Sequence, residues 1–146
     1  ESFKKLQELI ESHSNEQSSS EQLWNRLLSL RFQMEFYLKE EMPEELQPAG
    51  YYLERYIEAL EIKKKDFASY IGYQESNLSA ILKGRRSIST DLAIKLGEIF
   101  QIDPALWLNI QSKNDLLKII QRDKKKYNKY SLEDLLDEVK WVGQWL

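Results

Sequence analysis

The chain has 146 residues, is 42% hydrophobic and 31% charged, and carries a formal net charge of −3. It holds no cysteine and a single histidine, His13, which excludes disulfides, thiol catalysis and His/Cys metal clusters. No apolar run approaches the ~20 residues of a membrane span, no secretory pattern is expected at its start, and the net charge excludes a simple polycation.

Charge is unevenly spread. Residues 1–48 hold five Lys/Arg and ten Asp/Glu, residues 49–111 eight of each, and residues 112–146 eight and six. Any contact with nucleic acid must therefore come from a local patch. Only five glycines and three prolines punctuate a chain rich in Leu, Lys, Glu and Gln, which favours helix throughout.

In chain order, SFKKLQELIES (2–12) places Phe3, Leu6 and Ile10 on one helical face. HSNEQSSS (13–20) reads as a loop, with His13 as a solvated side chain. A longer helix is predicted over 21–40, where Leu23, Leu27, Leu30, Met34 and Tyr37 form one stripe and Trp24, Leu28, Phe32 and Phe36 a second. So wide an apolar face must be covered, by this chain or by another. MPEELQPAG (42–50) contains two prolines and a glycine and reads as a domain boundary.

Five shorter helical segments follow. Their apolar markers are Leu53, Ile57 and Leu60; Phe67, Ala68 and Ile71; Leu78, Ile81 and Leu82; Leu92, Leu96 and Ile99; and the stretch DPALWLNIQ (103–111). Asp103 suits an N-cap there and Pro104 a first helical turn. RDKKKYNKY (122–130) reads as a solvated loop rather than a basic-aromatic arm for nucleic acid. SLED (131–134) resembles a capping box and opens a last helix towards Trp141 and Trp145. No internal repeat and no strand alternation is evident. The predicted fold is all-α, with an N-terminal helical extension (1–46), a five-helix helix-turn-helix domain (47–121) and a C-terminal helical tail (122–146).

The informative stretch is IKKKDFASYIGYQESNLSAILKGRRSI (62–88). Two short segments join at Gly72, where glycine permits a positive φ. Phe67, Ala68 and Ile71 can face inward with Leu78, Ile81 and Leu82 if the helices cross steeply. Glu75, Ser76, Asn77, Ser79 and Lys83 then remain outside, and Arg85 and Arg86 follow a helix end at Gly84.

This pattern resembles the helix-turn-helix of the Cro/phage-repressor (XRE-like) superfamily. The span 47–111 is similar to its HigA-type antitoxin branch: QPAGYYLERYIEAL matches the opening helix, FASYIG and NLSAILKGRRSIS the helix-turn-helix, and LAIKLGEIFQIDPALWLNIQ the closing signature. The resemblance implies a bacterial, cytoplasmic repressor that binds an operator as a homodimer, with a HigB-like ribonuclease toxin as its partner. An enzyme is the weakest reading of the residues themselves, which offer no cysteine, clustered histidine, phosphate-cradling glycine loop or paired carboxylates for a shared cleft; no cofactor and no metal are expected. Carried over by position, Lys64 stands where the family places a phosphate-contacting glutamine. Glu75, Ser76 and Ala80 stand where side chains reach base edges, and Asn77, Lys83, Arg85 and Arg86 where they meet the backbone or groove edge. Leu106, Trp107 and Ile110 are expected at a two-fold interface, although Trp107 also suits the core.

Besides Lys64, the chain departs from the pattern in two further ways. Gln74 replaces the usual Ser or Thr cap, and no base-facing position offers an arginine fork for guanine. The bland reading of Lys83, Arg85 and Arg86 is a solvated helix end. That of Lys63, Lys64 and Lys65 is a charged helix start, unfavourable with the dipole unless a phosphate relieves it. The 21–40 helix reads either as core or as a toxin-binding or second dimerising surface. The competing function is a protein-interaction module that keeps the fold with little DNA affinity.

Overall fold

A computed structural model describes the backbone of residues 2–13 and 17–145, and the side chains of residues 3–10 and 19–140. The state expected for the His13 side chain, residues 14–16 of the serine-rich loop, and the side chains of Trp141 and Trp145 lie outside the described residues.

Among the described residues the chain is all helical. The helices are α1 (Ser2–His13), α2 (Gln17–Lys39), α3 (Ala49–Leu60), α4 (Lys64–Ile71), α5 (Glu75–Leu82), α6 (Thr90–Phe100), α7 (Pro104–Arg122), α8 (Lys124–Asn128) and α9 (Leu132–Trp145). None is long and apolar enough to cross a membrane. Residues 17–20 of the serine-rich stretch, expected as loop, are helical instead, because α2 already begins at Gln17. The Lys-Tyr run, expected as a loop, holds the short helix α8.

Chain contacts divide the molecule into two units at Asn114/Asp115. The first unit ends inside α7. Its core explains why α2 is no appendage. Leu27, Leu30, Met34 and Tyr37 of α2 are buried together with Tyr52, Leu53, Tyr56 and Ile57 of α3. The second apolar stripe of α2 has a different fate: Trp24 and Leu28 are half-buried, whereas Phe32 and Phe36 stay exposed.

Polar side chains fasten α2 to α7 across this core. The Tyr37 hydroxyl donates to Asn114 Oδ1, Asn114 Nδ2 donates to the Gln47 carbonyl (2.7 Å), and the Gln47 N–H donates back to the Tyr37 oxygen (3.0 Å). The Lys113 ammonium donates to the carbonyls of Tyr37 and Glu40, meeting the groups a helix end leaves unpaired. The MPEELQPAG segment therefore reads as a linker in sequence but is stitched into the unit at Gln47.

Leu106, Trp107 and Ile110 correct an expectation. They are 9%, 0% and 0% exposed within one protomer, so they fill its core and are not offered to a second chain. Trp107 lies 5.6 Å, centroid to centroid, from Tyr56, whose ring is 4.5 Å from that of Phe100. Large aromatic groups gain most where close packing surrounds them completely. Asp103 Oδ1 accepts from the Ala105 N–H (2.9 Å), so α7 starts as the Asp-Pro pair predicted.

The second unit, Asp115–Leu146, contains the end of α7, α8 and α9. None of residues 115–140 is buried.

Candidate nucleic-acid interface

The candidate site is built on α4, α5 and the turn after α5. Phe67, Ala68 and Ile71 of α4 and Leu78, Ile81 and Leu82 of α5 are all buried, which fixes their inner faces. Gly72, at φ 80°, closes α4: its N–H donates to the Ser69 carbonyl (3.2 Å) and the Tyr73 N–H to that of Ala68 (2.8 Å). That is the paired Schellman pattern, and it reverses the chain into α5. The same pattern ends α5 at Gly84, with N–H groups of Gly84 and Arg85 donating to Ile81 (3.0 Å) and Ala80 (2.9 Å). At its start, Gln74 provides no side-chain cap, as its residue type implies.

The outer face of α5 is then defined. Glu75, Ser76, Lys83, Arg85 and Arg86 are exposed, and Asn77 and Ala80 are half-buried. Arg86 Nη1 donates to Asn77 Oδ1 (2.9 Å), so these two side chains are already joined. Lys64 is exposed but not free: its ammonium donates to Glu54 Oε2 of α3 at 2.7 Å. That hydrogen bond is the main influence holding the Glu54 carboxyl below its usual range; burial opposes it, and the charges of Lys64 and Arg55 assist. The structure thus gathers Glu75, Ser76, Asn77, Ala80, Lys83, Arg85 and Arg86 on α5 and its turn, and attaches Lys64 to α3.

Four supports were not read as such from the sequence. Gly50 lets α3 cross against α5; a Cβ there would stand 1.9 Å from the Ile81 carbonyl oxygen. Gln111 grips both backbone groups of Ile88: its Nε2 donates to the Ile88 carbonyl (2.9 Å) and its Oε1 accepts from the Ile88 N–H. It thereby holds the loop that carries Arg85 and Arg86. Lys95 donates to the Ile71 carbonyl (2.8 Å) and pairs with Asp91 (3.0 Å), bracing the end of α4. Ser89 Oγ caps α6 by accepting from the Leu92 N–H (3.1 Å) and lies 3.1 Å from the Tyr73 hydroxyl. A signal existed only for Gln111, the last residue of the ALWLNIQ run. Among the described residues no cluster of His, Cys, Asp and Glu is arranged to hold a metal.

Residues 53–107 match the helix-turn-helix family. The chain is 28% identical over 72 residues to the uncharacterized HTH-type transcriptional regulator YbaQ of Escherichia coli, covering 49% of this chain and 64% of that protein. An uncharacterized HTH-type regulator of Haemophilus influenzae is 32% identical over 63 residues, 59% of its length. The chain thus spans less than two thirds of these regulators. Virulence-associated protein I of Dichelobacter nodosus is 30% identical over 90 residues, 62% of this chain and 82% of that protein. In structure, the chain resembles a proposed antidote protein of a plasmid maintenance system from Nostoc punctiforme, with TM-score 0.50 and 33% identity. That match covers 57% of this chain and 93% of the other. Helices α1, α2, α8 and α9 lie outside the family match.

Proposed function

Because the chain belongs to the Cro/repressor-like helix-turn-helix family, we propose that it is a sequence-specific DNA-binding repressor, and the antitoxin of a HigB/HigA-type module that controls its own operon. One arrangement carries the proposal: an exposed polar face on α5, closed at a glycine cap from which Lys83, Arg85 and Arg86 project. Inserted into a major groove, Glu75 accepts from cytosine N4, Ser76 donates or accepts, and the Ala80 methyl meets a thymine methyl. Lys83, Arg85 and Arg86 bind phosphates, with Arg86 aimed by its bond to Asn77. Lys64 reaches a phosphate only by exchanging its partner Glu54.

The antitoxin half of the proposal draws on the Nostoc neighbour and on a groove beside α2. Exposed Phe32 and Phe36 line it together with Tyr51, Glu40, Glu44 and Glu45. An acidic, aromatic groove suits the cationic surface of a ribonuclease, which must itself attract phosphate. The protein acts in the bacterial cytoplasm as a dimer, on two half-sites about 34 Å apart.

The test is binding to DNA from upstream of the chain's own gene, followed by fluorescence anisotropy across salt concentrations. Lys64, Lys83, Arg85 and Arg86 give roughly eight phosphate contacts per dimer, hence a log–log slope of about −7 at most. Replacing Arg85 and Arg86 together with alanine should flatten that slope by up to about 4 and weaken all sequences alike. A flat salt response, or no binding at micromolar protein, overturns the repressor reading. It would favour the interaction module, to which the acidic Glu75 on α5 and the net neutrality of residues 49–111 already lend weight.

A further inference from the structure

Within the second unit, the Lys-Tyr run gains a face by being helical. One residue, Asp123, separates α7 from α8 and departs from helical dihedrals (φ −120°, ψ 37°). Its N–H still donates to the Ile119 carbonyl (2.9 Å) and its carbonyl accepts from the Lys126 N–H (3.0 Å), so the winding carries across. Lys118, Arg122, Lys125 and Lys129 then recur at 4-3-4 spacing, which lines them along one side, while Leu116, Ile119 and Ile120 fall on the other. All four cations are exposed. From Lys118 to Lys129 the stripe extends about 16 Å. It is also poorly neutralised. In the first unit Lys64, Lys95 and Arg31 each hold a carboxylate within 3.5 Å. Among the described residues the stripe has one such pair, Arg122 with Asp123 at 3.2 Å, and no carboxylate of α9 reaches it. Like charges at i and i+4, Lys118 with Arg122 and Lys125 with Lys129, repel each other.

We propose that this stripe is a DNA-binding surface in its own right, separate from α5, and that it seats the phosphate backbone of duplex DNA without regard to sequence. Evenly spaced cations of one sign fit a linear polyanion, whose phosphates turn the repulsion along the stripe into attraction. A protein partner would be met by a patch with an apolar centre, and no apolar residue stands among these four on their side. A single strand would call for open aromatic faces on which its bases stack. The Tyr127 and Tyr130 rings are already engaged, with the Lys126 and Lys129 ammonium groups each 5.4 Å from a ring centroid. The stripe lies outside residues 53–107, the part matched to the helix-turn-helix family, and touches no base edge. It therefore goes beyond the operator proposal and does not depend on it.

The experiment titrates the full chain onto a labelled random-sequence duplex at several salt concentrations. Lys118→Gln, Arg122→Gln, Lys125→Gln and Lys129→Gln together should make the log–log salt slope shallower by about 3–4 per bound chain, with helical circular dichroism unchanged. Lys118→Arg, Lys125→Arg and Lys129→Arg, which keep the charge, should keep the slope. Lys124→Gln, about a third of a turn away from the stripe, should also leave it as it is. Introducing the four glutamines into a chain that already carries Arg85→Ala and Arg86→Ala should remove the same about 3–4, so the two surfaces are read separately. Loss of operator preference with that share intact strikes the repressor reading alone and supports the stripe. A four-glutamine chain with the wild-type slope overturns the proposal. So does a wild-type chain that binds a single strand of the same sequence more tightly than the duplex.

Discussion

Gly50 is the residue on which the set of α5 depends. A Cβ there would lie 1.9 Å from the Ile81 carbonyl oxygen and 3.0 Å from Leu82 Cα, both backbone atoms that cannot rotate aside. Gly50→Ala therefore drives α3 and α5 apart. It should cost about 1–3 kcal/mol or more, read as a lower urea midpoint with an unchanged slope. Operator affinity should fall with it, because the outer face of α5 changes its tilt; a variant of full stability would mean that the crossing is looser than the contact implies. Gly72 and Gly84 were legible in the sequence because the demand on them is local: each ends a short apolar-periodic run, and each has a positive φ. Gly50 was read only as punctuation in a proline-containing segment, since the oxygen it must clear lies far along the chain. Gln111 was visible within its motif, yet its grip on Ile88 was not, because a side-chain amide meeting a loop backbone leaves no periodic trace.

Helix α2 shows how far periodicity reaches at the scale of an element. Its 4-3-4-3 spacing correctly marks Leu27, Leu30, Met34 and Tyr37 as a buried stripe. It does not say against what, and that choice separates an appended arm from a structural member of the domain. The hydrogen bonds joining Tyr37, Gln47 and Asn114 give the answer through polar atoms, which hydrophobic patterning does not register. Met34, 0% exposed, is the sensitive probe. Met34→Ala should destabilise the whole first unit by about 2–5 kcal/mol in a single cooperative unfolding transition. An independent arm would instead melt alone and leave the main transition where it was. Periodicity likewise left α7 open: an apolar stripe there is equally suited to a core or an interface, and the burial of Leu106, Trp107 and Ile110 within one protomer decides for the core. Helix α8 escaped prediction for a different reason, since its Lys-Tyr run has no apolar face to register.

At the scale of the whole molecule, the first unit holds three phenols, those of Tyr37, Tyr52 and Tyr56, where they cannot easily ionise. Burial pushes the Tyr56 hydroxyl well above its ordinary value near 10, with Arg31 opposing and Glu35 adding to the effect. Burial does the same to Tyr52, helped by Tyr37, Tyr51 and Glu40, and more mildly to Tyr37, where the Gln47 N–H pulls the other way. The sign of the consequence follows from linkage. In the unfolded chain these groups lose their protons as pH passes about 10, whereas in the fold they keep them. The unfolded state thus binds fewer protons above that pH, and stability falls as pH rises further. Below it both states are protonated and this contribution is complete. The thermal midpoint should therefore lie on a plateau through neutral and mildly alkaline pH and drop steeply above about 10. Phenolate absorbance from Tyr37, Tyr52 and Tyr56 should appear only with loss of helical circular dichroism. Because these three residues come from α2 and α3, a single coincident transition would also require the two helices to unfold together. Ionisation of all three in a chain still fully helical would contradict both the burial and the joint core.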